Sequence, residues 1–278
     1  LGCLFGQLLA QPVAVKACLQ RAFVTFTGWP GLLLLACFGL SPRAYGDPFT
    51  FYTHNLSRQV TCMEHWCEGI PRQGKRAFQV EVVNTLAEQL GYDVPMREVP
   101  FKRGLYAVQT RKNIVFFAVQ RTAEREKTVQ WVGPISAGTD YFYEWRSRPT
   151  GIRSLSDARD LKICVLNGSV HDRLLTGMGF TALSRNKNYA TCFGLLKRGR
   201  VALAITSEDS IEHKLSAHEI SPELVRKTPV VVLQGQHYIA MSKNIASSEV
   251  ARWNRALQEL KQSGYIRKLA RRFLEPAS

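Results

Sequence analysis

The sequence predicts an α/β protein folded as two lobes rather than one continuous sheet. Two runs of alternating strand-like and helix-like patterning, over 49–119 and 154–205, are of similar size, and a helical segment at 248–273 returns the chain at its end. With 278 residues, 45% of them hydrophobic, the chain can bury one large core or two modest ones.

The first run opens with Phe49 to His54 as a strand, followed by a cysteine-containing loop. Ala77 to Leu90 spaces its apolar residues at helical intervals, and Gly91 is the stop. Val94 to Val99 and Ile114 to Val119 read as strands separated by a helix through Leu105, Tyr106 and Val108, the alternation of a parallel sheet. In the second run, Ser154 to Asp160 reads as a short helix and Leu161 to Leu166 as a buried strand. Helices at His171 to Met178 and Ala190 to Arg198 follow, then a strand at Val201 to Ile205. The chain closes with short strands at Val230 to Leu233 and Tyr238 to Met241, and a helical tail from Ser248 to Phe273.

The formal net charge is +15, and residues 1–46 contribute only Lys16, Arg21 and Arg43, so most of the excess belongs to the body of the protein. No tight run of Lys and Arg interleaved with aromatics occurs, nor any zinc-finger or RNA-binding signature, which argues against nucleic acid as a partner. A basic surface spread over a globular domain is the plainer reading.

Gly28 to Leu40 (GWPGLLLLACFGL) is a short apolar block behind Lys16 and Arg21, and it ends near Ala44-Tyr45-Gly46, which suits cleavage before Asp47. This reads as an export signal, too short and too interrupted by Pro30 for a membrane-spanning helix. Leu34-Leu35-Ala36-Cys37 offers an alternative, a lipoprotein signal with Cys37 as the lipidated residue. The chain opens on Leu1, and residues 1 to about 20 read as sequence upstream of that signal. Past the signal lie Cys62, Cys67, Cys164 and Cys192, an even number that an oxidising compartment could pair. Glu64 and His65 sit between the first two, but no second ligand pair follows at a metal-site spacing, so a local staple is expected there and no metal.

The first half holds, in order, Ala77 to Gly91, Val99-Pro100-Phe101-Lys102-Arg103, Thr122-Ala123-Glu124-Arg125-Glu126-Lys127 and Trp131-Val132-Gly133-Pro134-Ile135. The second half continues with Ile152 to Ala158, Lys162 to Ser169, Leu196 to Val201 and Ala256 to Gly264. This ordered set resembles the amino-acid-type periplasmic solute-binding proteins of ABC transporters, extracellular family 3, and the resemblance spans about 49–275. It implies a type II periplasmic-binding-protein fold, two α/β lobes joined by two crossing hinge strands with ligand in the cleft. The implied division is an export segment at 1–46, a first lobe at 47–137, a second at 138–240, and a return to the first at 241–278. The implied partners are a small amino-acid-like or organic-acid-like molecule and an inner-membrane ABC permease, with a periplasmic monomer and no cofactor.

Arg125 falls where the family places an arginine for the ligand carboxylate, and a planar guanidinium matches a carboxylate with a fork of donors. Asn167-Gly168-Ser169-Val170 follows a strand and opens a helix, so Gly168 and Ser169 are expected to offer backbone N–H groups and a hydroxyl to an anion, unless Ser169 is simply a helix cap. Tyr52, Phe101 and Phe117 lie near strand ends, where at most one is expected to wall the cleft. Ala118 and Gln120 stand where small hydroxyl residues often meet ligand, and Ser207 stands where the family carries an aspartate for a ligand ammonium, with Glu208 or Asp209 as substitutes. Ordinary α-amino acid binding is thereby in doubt. The alternatives are a sensor or accessory protein for a membrane receptor, and an enzyme on the same scaffold such as a cyclohexadienyl dehydratase-like lyase, with Glu64, Glu144, His171 and His54 as candidate acids or bases. None of these four sits in a recognisable catalytic signature, so no enzyme is expected.

Overall fold

The computed structural model describes residues 49–275 apart from 57 and 65; the expected export segment, with Cys37, lies outside them, as does His65. The strands are β1 (Thr50–Thr53), β2 (Val60–Met63), β3 (Trp66–Gly69), β4 (Met96–Glu98), β5 (Ile114–Gln120), β6 (Val129–Trp145), β7 (Ile163–Leu166), β8 (Leu183–Asn186), β9 (Leu203–Ser207) and β10 (Val225–Ser242). Between them run α1 (Lys75–Leu90), α2 (Phe101–Thr110), α3 (Ala123–Glu126), α4 (Val170–Gly177), α5 (Tyr189–Lys197) and α6 (Ile211–Ser216), and α7 (Ser247–Gln262) and α8 (Tyr265–Leu274) close the chain.

Eight strands form one hydrogen-bonded sheet in the order β4-β1-β5-β10-β6-β9-β7-β8. The expectation of two lobes holds, but that of separate sheets does not. The 17 residues of β6 and the 18 of β10 pair antiparallel over nearly their whole length. At about 3.4 Å per residue each is over 55 Å long, enough to belong to both lobes. One end of the pair takes on β5 beside β10, and the other takes on β9 beside β6. Sequence patterning breaks at Gly133, Pro134 and Gly138 and again at Gln234-Gly235-Gln236, which is why β6 passes unread and β10 reads as two short strands. Gly138 and Gly235 face each other midway along the pair.

The buried side chains divide into cores on the two faces of each half of the sheet. Strand alternation assigns Val115 and Phe117 of β5 to one core with α1, α7 and α8, and Ile114 and Phe116 to another with α2, which Val119 joins because a bulge at Ala118 reverses the alternation. In the second lobe, Ile163, Val165, Leu203 and Ile205 pack with Phe142 and Leu175, and Cys164, Cys192, Phe193 and Leu215 fill the opposite face. The Cys62–Cys67 disulfide joins paired residues of the β2–β3 hairpin, and Cys164–Cys192 ties β7 to α5. The first is the local staple expected. The tail is two helices rather than one, because Gly264 takes a left-handed φ of 78° between them. Helix 154–160 contracts to a single 3₁₀ turn, Ser156–Ala158.

Candidate functional site

A cavity with an empty volume of about 730 Å³, partly open to solvent, lies between the lobes. Its walls come from the ends of β1 and β5, the first turns of α1 and α4, the middle of β6 and β10, and the segment from β9 into α6. The lobes also touch directly: the Lys75 ammonium meets Asp209 at 2.9 Å and the Ser207 hydroxyl at 3.3 Å, and Arg173 of α4 pairs with Glu124 of α3.

Arg125 is 1% exposed on this cavity. Its Nη1 donates to the Gln120 carbonyl at 2.8 Å, its Nη2 to the Gly168 carbonyl at 3.5 Å, and its Nε has no partner among the described residues. The Phe101 ring lies 5.5 Å from the guanidinium carbon. Burial, followed by the neighbouring Arg173 charge, lowers the Arg125 pKa to about 10, which still leaves it charged at neutral pH. Ala118 holds a φ of 62°, where strand register shifts between Tyr238 and Ile239 on the facing β10. This bulge turns the Ala118 carbonyl to accept from His54 Nε2 at 3.2 Å. His54 takes a second hydrogen bond at Nδ1 from the Asn55 amide, 3.1 Å away, and burial keeps its pKa well below the ordinary value, so it stays neutral.

Of the residues singled out in the sequence, Phe101, Ala118, Gln120, Arg125, Ser169 and Ser207 line the cavity. Tyr52, Phe117 and Gly168 do not. Phe117 has the wrong strand parity and is sealed in the first-lobe core, and Tyr52 packs against the core beneath α2. Gly168 touches Arg125 through its carbonyl, while its N–H donates to Asp172 Oδ2 at 2.9 Å. Asp172 thus already supplies an anion to the start of α4, and Ser169 caps that helix by accepting from the Asp172 N–H at 3.2 Å. Ser207 spends its own proton on Asp209 Oδ1, 2.5 Å away.

Sequence reading missed Lys75, Arg76, Asp140, Tyr189, Lys214 and His237, all on the cavity. One signal was present for two of them. Lys75 and Arg76 open α1 behind Gly74, with no acidic residue in the first turn and no side-chain cap, although a helix start disfavours cations. Asp140 accepts from His171 Nε2 at 3.0 Å, and His171 Nδ1 meets the Tyr189 hydroxyl at 2.6 Å. Burial would raise the Asp140 pKa, but the His171 charge and hydrogen bond, with Lys75 behind them, outweigh it and hold the carboxyl at about 2. Lys214, 8% exposed, donates to the Thr206 hydroxyl and lies 5.3 Å from the centre of the Tyr189 ring. Of the four residues considered as catalytic, only His54 and His171 reach the cavity. Glu144 is locked by Thr150 and Arg226 elsewhere, and Glu64 sits at the turn of the stapled hairpin. Among the described residues no cluster of metal-ligating side chains forms, and no helix is long and apolar enough to cross a membrane.

The arginine-binding extracellular protein ArtP of Bacillus subtilis is 23% identical over 206 residues, covering 70% of this chain and 76% of its own. An arginine-binding protein of T. maritima superposes with a TM-score of 0.66 at 18% identity, over 80% of this chain and 93% of the other. The GLUR0 ligand-binding core in complex with L-glutamate does so with a TM-score of 0.67 at 14% identity, over 83% of this chain and 100% of the other. The two solved structures share the two-lobed fold, and the model of bacterial extracellular solute-binding proteins, family 3, matches residues 75–276. On that match, the chain belongs to the bacterial extracellular solute-binding proteins of family 3.

Proposed function

We propose that the protein captures a small carboxylate-bearing solute in the interlobe cavity, outside the inner membrane, and hands it to an ABC permease without altering it. The observation that carries this reading is Arg125, buried on the cavity with one guanidinium N–H unpartnered among the described residues. A buried donor without an acceptor is costly, and a bound carboxylate would repair it. Its neighbours give the reading further support: Phe101 backs the guanidinium, and the Gln120 and Gly168 carbonyls fix its other nitrogens. ArtP is an arginine-binding protein by name, and the GLUR0 core holds L-glutamate, both carboxylate-bearing solutes.

The test follows thermal unfolding of the full protein, stripped of bound solute, against amino acids, organic acids, polyamines and sugars. A solute at about a hundred times its dissociation constant adds ~2.7 kcal/mol, a shift of several degrees at this size. Arg125→Ala removes charge-assisted hydrogen bonds worth about 1.5–3 kcal/mol each, so affinity drops about tenfold or more. An unchanged affinity removes Arg125 from the site, and consumption of the solute would make the protein an enzyme.

A further inference from the structure

The cavity is lined by four cations, Lys75, Arg76, Arg125 and Lys214, and by one carboxylate among the described residues, Asp140. Both nearby carboxylates are engaged: Asp140 with His171 at 3.0 Å, and Asp209, just behind the wall, with Lys75 at 2.9 Å. The other three cations have no carboxylate within 4 Å among the described residues. Arg76 donates to the Gln79 side-chain carbonyl at 2.8 Å, Arg125 to two backbone carbonyls, and Lys214 to a hydroxyl beneath an aromatic ring. Neutral partners satisfy hydrogen-bonding geometry, while the carboxylates that act on these cations, Glu98 on Arg76, Glu124 on Arg125 and Asp140 on Lys214, do so without direct contact. Buried charges without counter-charges are costly enough that proteins seldom keep several together without use for them.

These cations also come from both sides of the cleft. Arg125 and Arg76 belong to the lobe of α1 and α3, and Lys214 to α6 in the lobe of β9. A lone carboxylate on Arg125 would leave Lys214 and Arg76 unmatched, and a ligand ammonium would find both carboxylates taken. Resting on the solute-binding reading, we propose that the ligand is a small di-anion without an ammonium group, one anionic end held by Arg125 and the other by Lys214 with Arg76. The shared chemistry is two anionic groups on a short skeleton, as in a dicarboxylate or a phosphorylated carboxylic acid.

Isothermal titration of the full, solute-stripped protein tests this with glutarate, L-glutamate, L-glutamine, butyrate, L-arginine and a phosphorylated three-carbon acid. Glutarate or the phosphorylated acid should bind about tenfold or more tighter than butyrate, and the stronger of the two names the second anionic group. Glutarate should also exceed L-glutamate, which has the same skeleton plus an ammonium. At pH 6, where the Lys214 ammonium is charged, Lys214→Met should weaken the preferred di-anion about tenfold or more, while the ligand-free variant unfolds at the same or a higher temperature because a buried charge without a contacting counter-charge is gone. Lys214→Arg keeps the charge and should retain most of the affinity. Arginine, glutamine or glutamate binding more tightly than every di-anion would overturn the di-anion and leave the solute-binding reading standing. A Lys214→Met protein that folds and binds the di-anion as before would do the same. No binding to any small molecule would overturn both.

Discussion

Glu144 and Arg125 are both charged and nearly fully buried, at 2% and 1% exposure, yet their surroundings differ in kind. Around Glu144, in the second lobe, every demand is met: Oε2 accepts from the Thr150 N–H at 2.7 Å and the Thr150 hydroxyl at 2.6 Å, and Oε1 accepts from Arg226 Nε at 2.8 Å. Among the described residues around the cavity, Arg125 keeps a free N–H, Arg76 and Lys214 rest on neutral acceptors, and His237 Nδ1 is buried without a partner. The first arrangement closes its charge balance within the fold. The second leaves it open, which is the basis of the solute-binding reading. Substitutions in the first region should therefore move stability, and those in the second should move affinity.

The largest stability effect should come from the second-lobe disulfide. Cys164–Cys192 closes 28 residues, so replacing both by alanine should cost ~3.5 kcal/mol, against ~2 for Cys62–Cys67, which closes 5. Urea midpoints report the difference, and solute affinity should be unchanged at temperatures where the variants stay folded. Glu144→Ala should cost about 2–3 kcal/mol by stripping three donors of their acceptor, again without changing affinity. A Glu144→Ala protein with normal stability and weakened binding would break the contrast.

On the cavity side the sign should reverse. Burial first, then the Arg76 and Lys75 charges, lower the Lys214 pKa to about 7 from 10.5, against the opposing pull of Asp140 and Asp209. Above pH 7 the folded protein has released a proton that the unfolded chain still holds, so ligand-free stability should rise with pH between about 7 and 9. Lys214→Met should flatten that rise, and a slope identical to wild type would show that the ammonium is not held in this environment. The smallest stability effect should be that of Gly138→Ala. An added Cβ there collides with the Lys75 ammonium, a flexible tip that can move aside, so unfolding should change by under ~1 kcal/mol. Binding should weaken all the same, because Lys75 leaves Ser207 and Asp209.

Strand and helix periodicity made much of the framework legible, since apolar spacing records which face of an element is buried. Helix 77–90 with its Gly91 stop and the buried strand at 114–119 appear within a residue or two of where the pattern placed them. The β2–β3 hairpin, β8 and α6 escaped because they are short and carry few apolar residues in register. In the site, Arg125 and Ser169 were legible through ordered motifs. Lys214 and Tyr189 were not, because a single lysine or tyrosine in a short helix looks the same in sequence whether it faces solvent or a cleft. Phe117 shows the converse error: nearness to a strand end suggested the cleft, and parity sent the ring into the core.

By itself the sequence determined the two-lobed α/β class, the family and the position of a candidate binding arginine, because these rest on local periodicity and on motif order along the chain. Only the tertiary structure decided which carboxylates were already spent. Lys75 reaches Asp209, and His171 reaches Asp140, across 134 and 31 positions of sequence, pairings that no local pattern encodes. The charge left over in the cavity is the difference between residues present and residues paired, and pairing is a property of the folded chain.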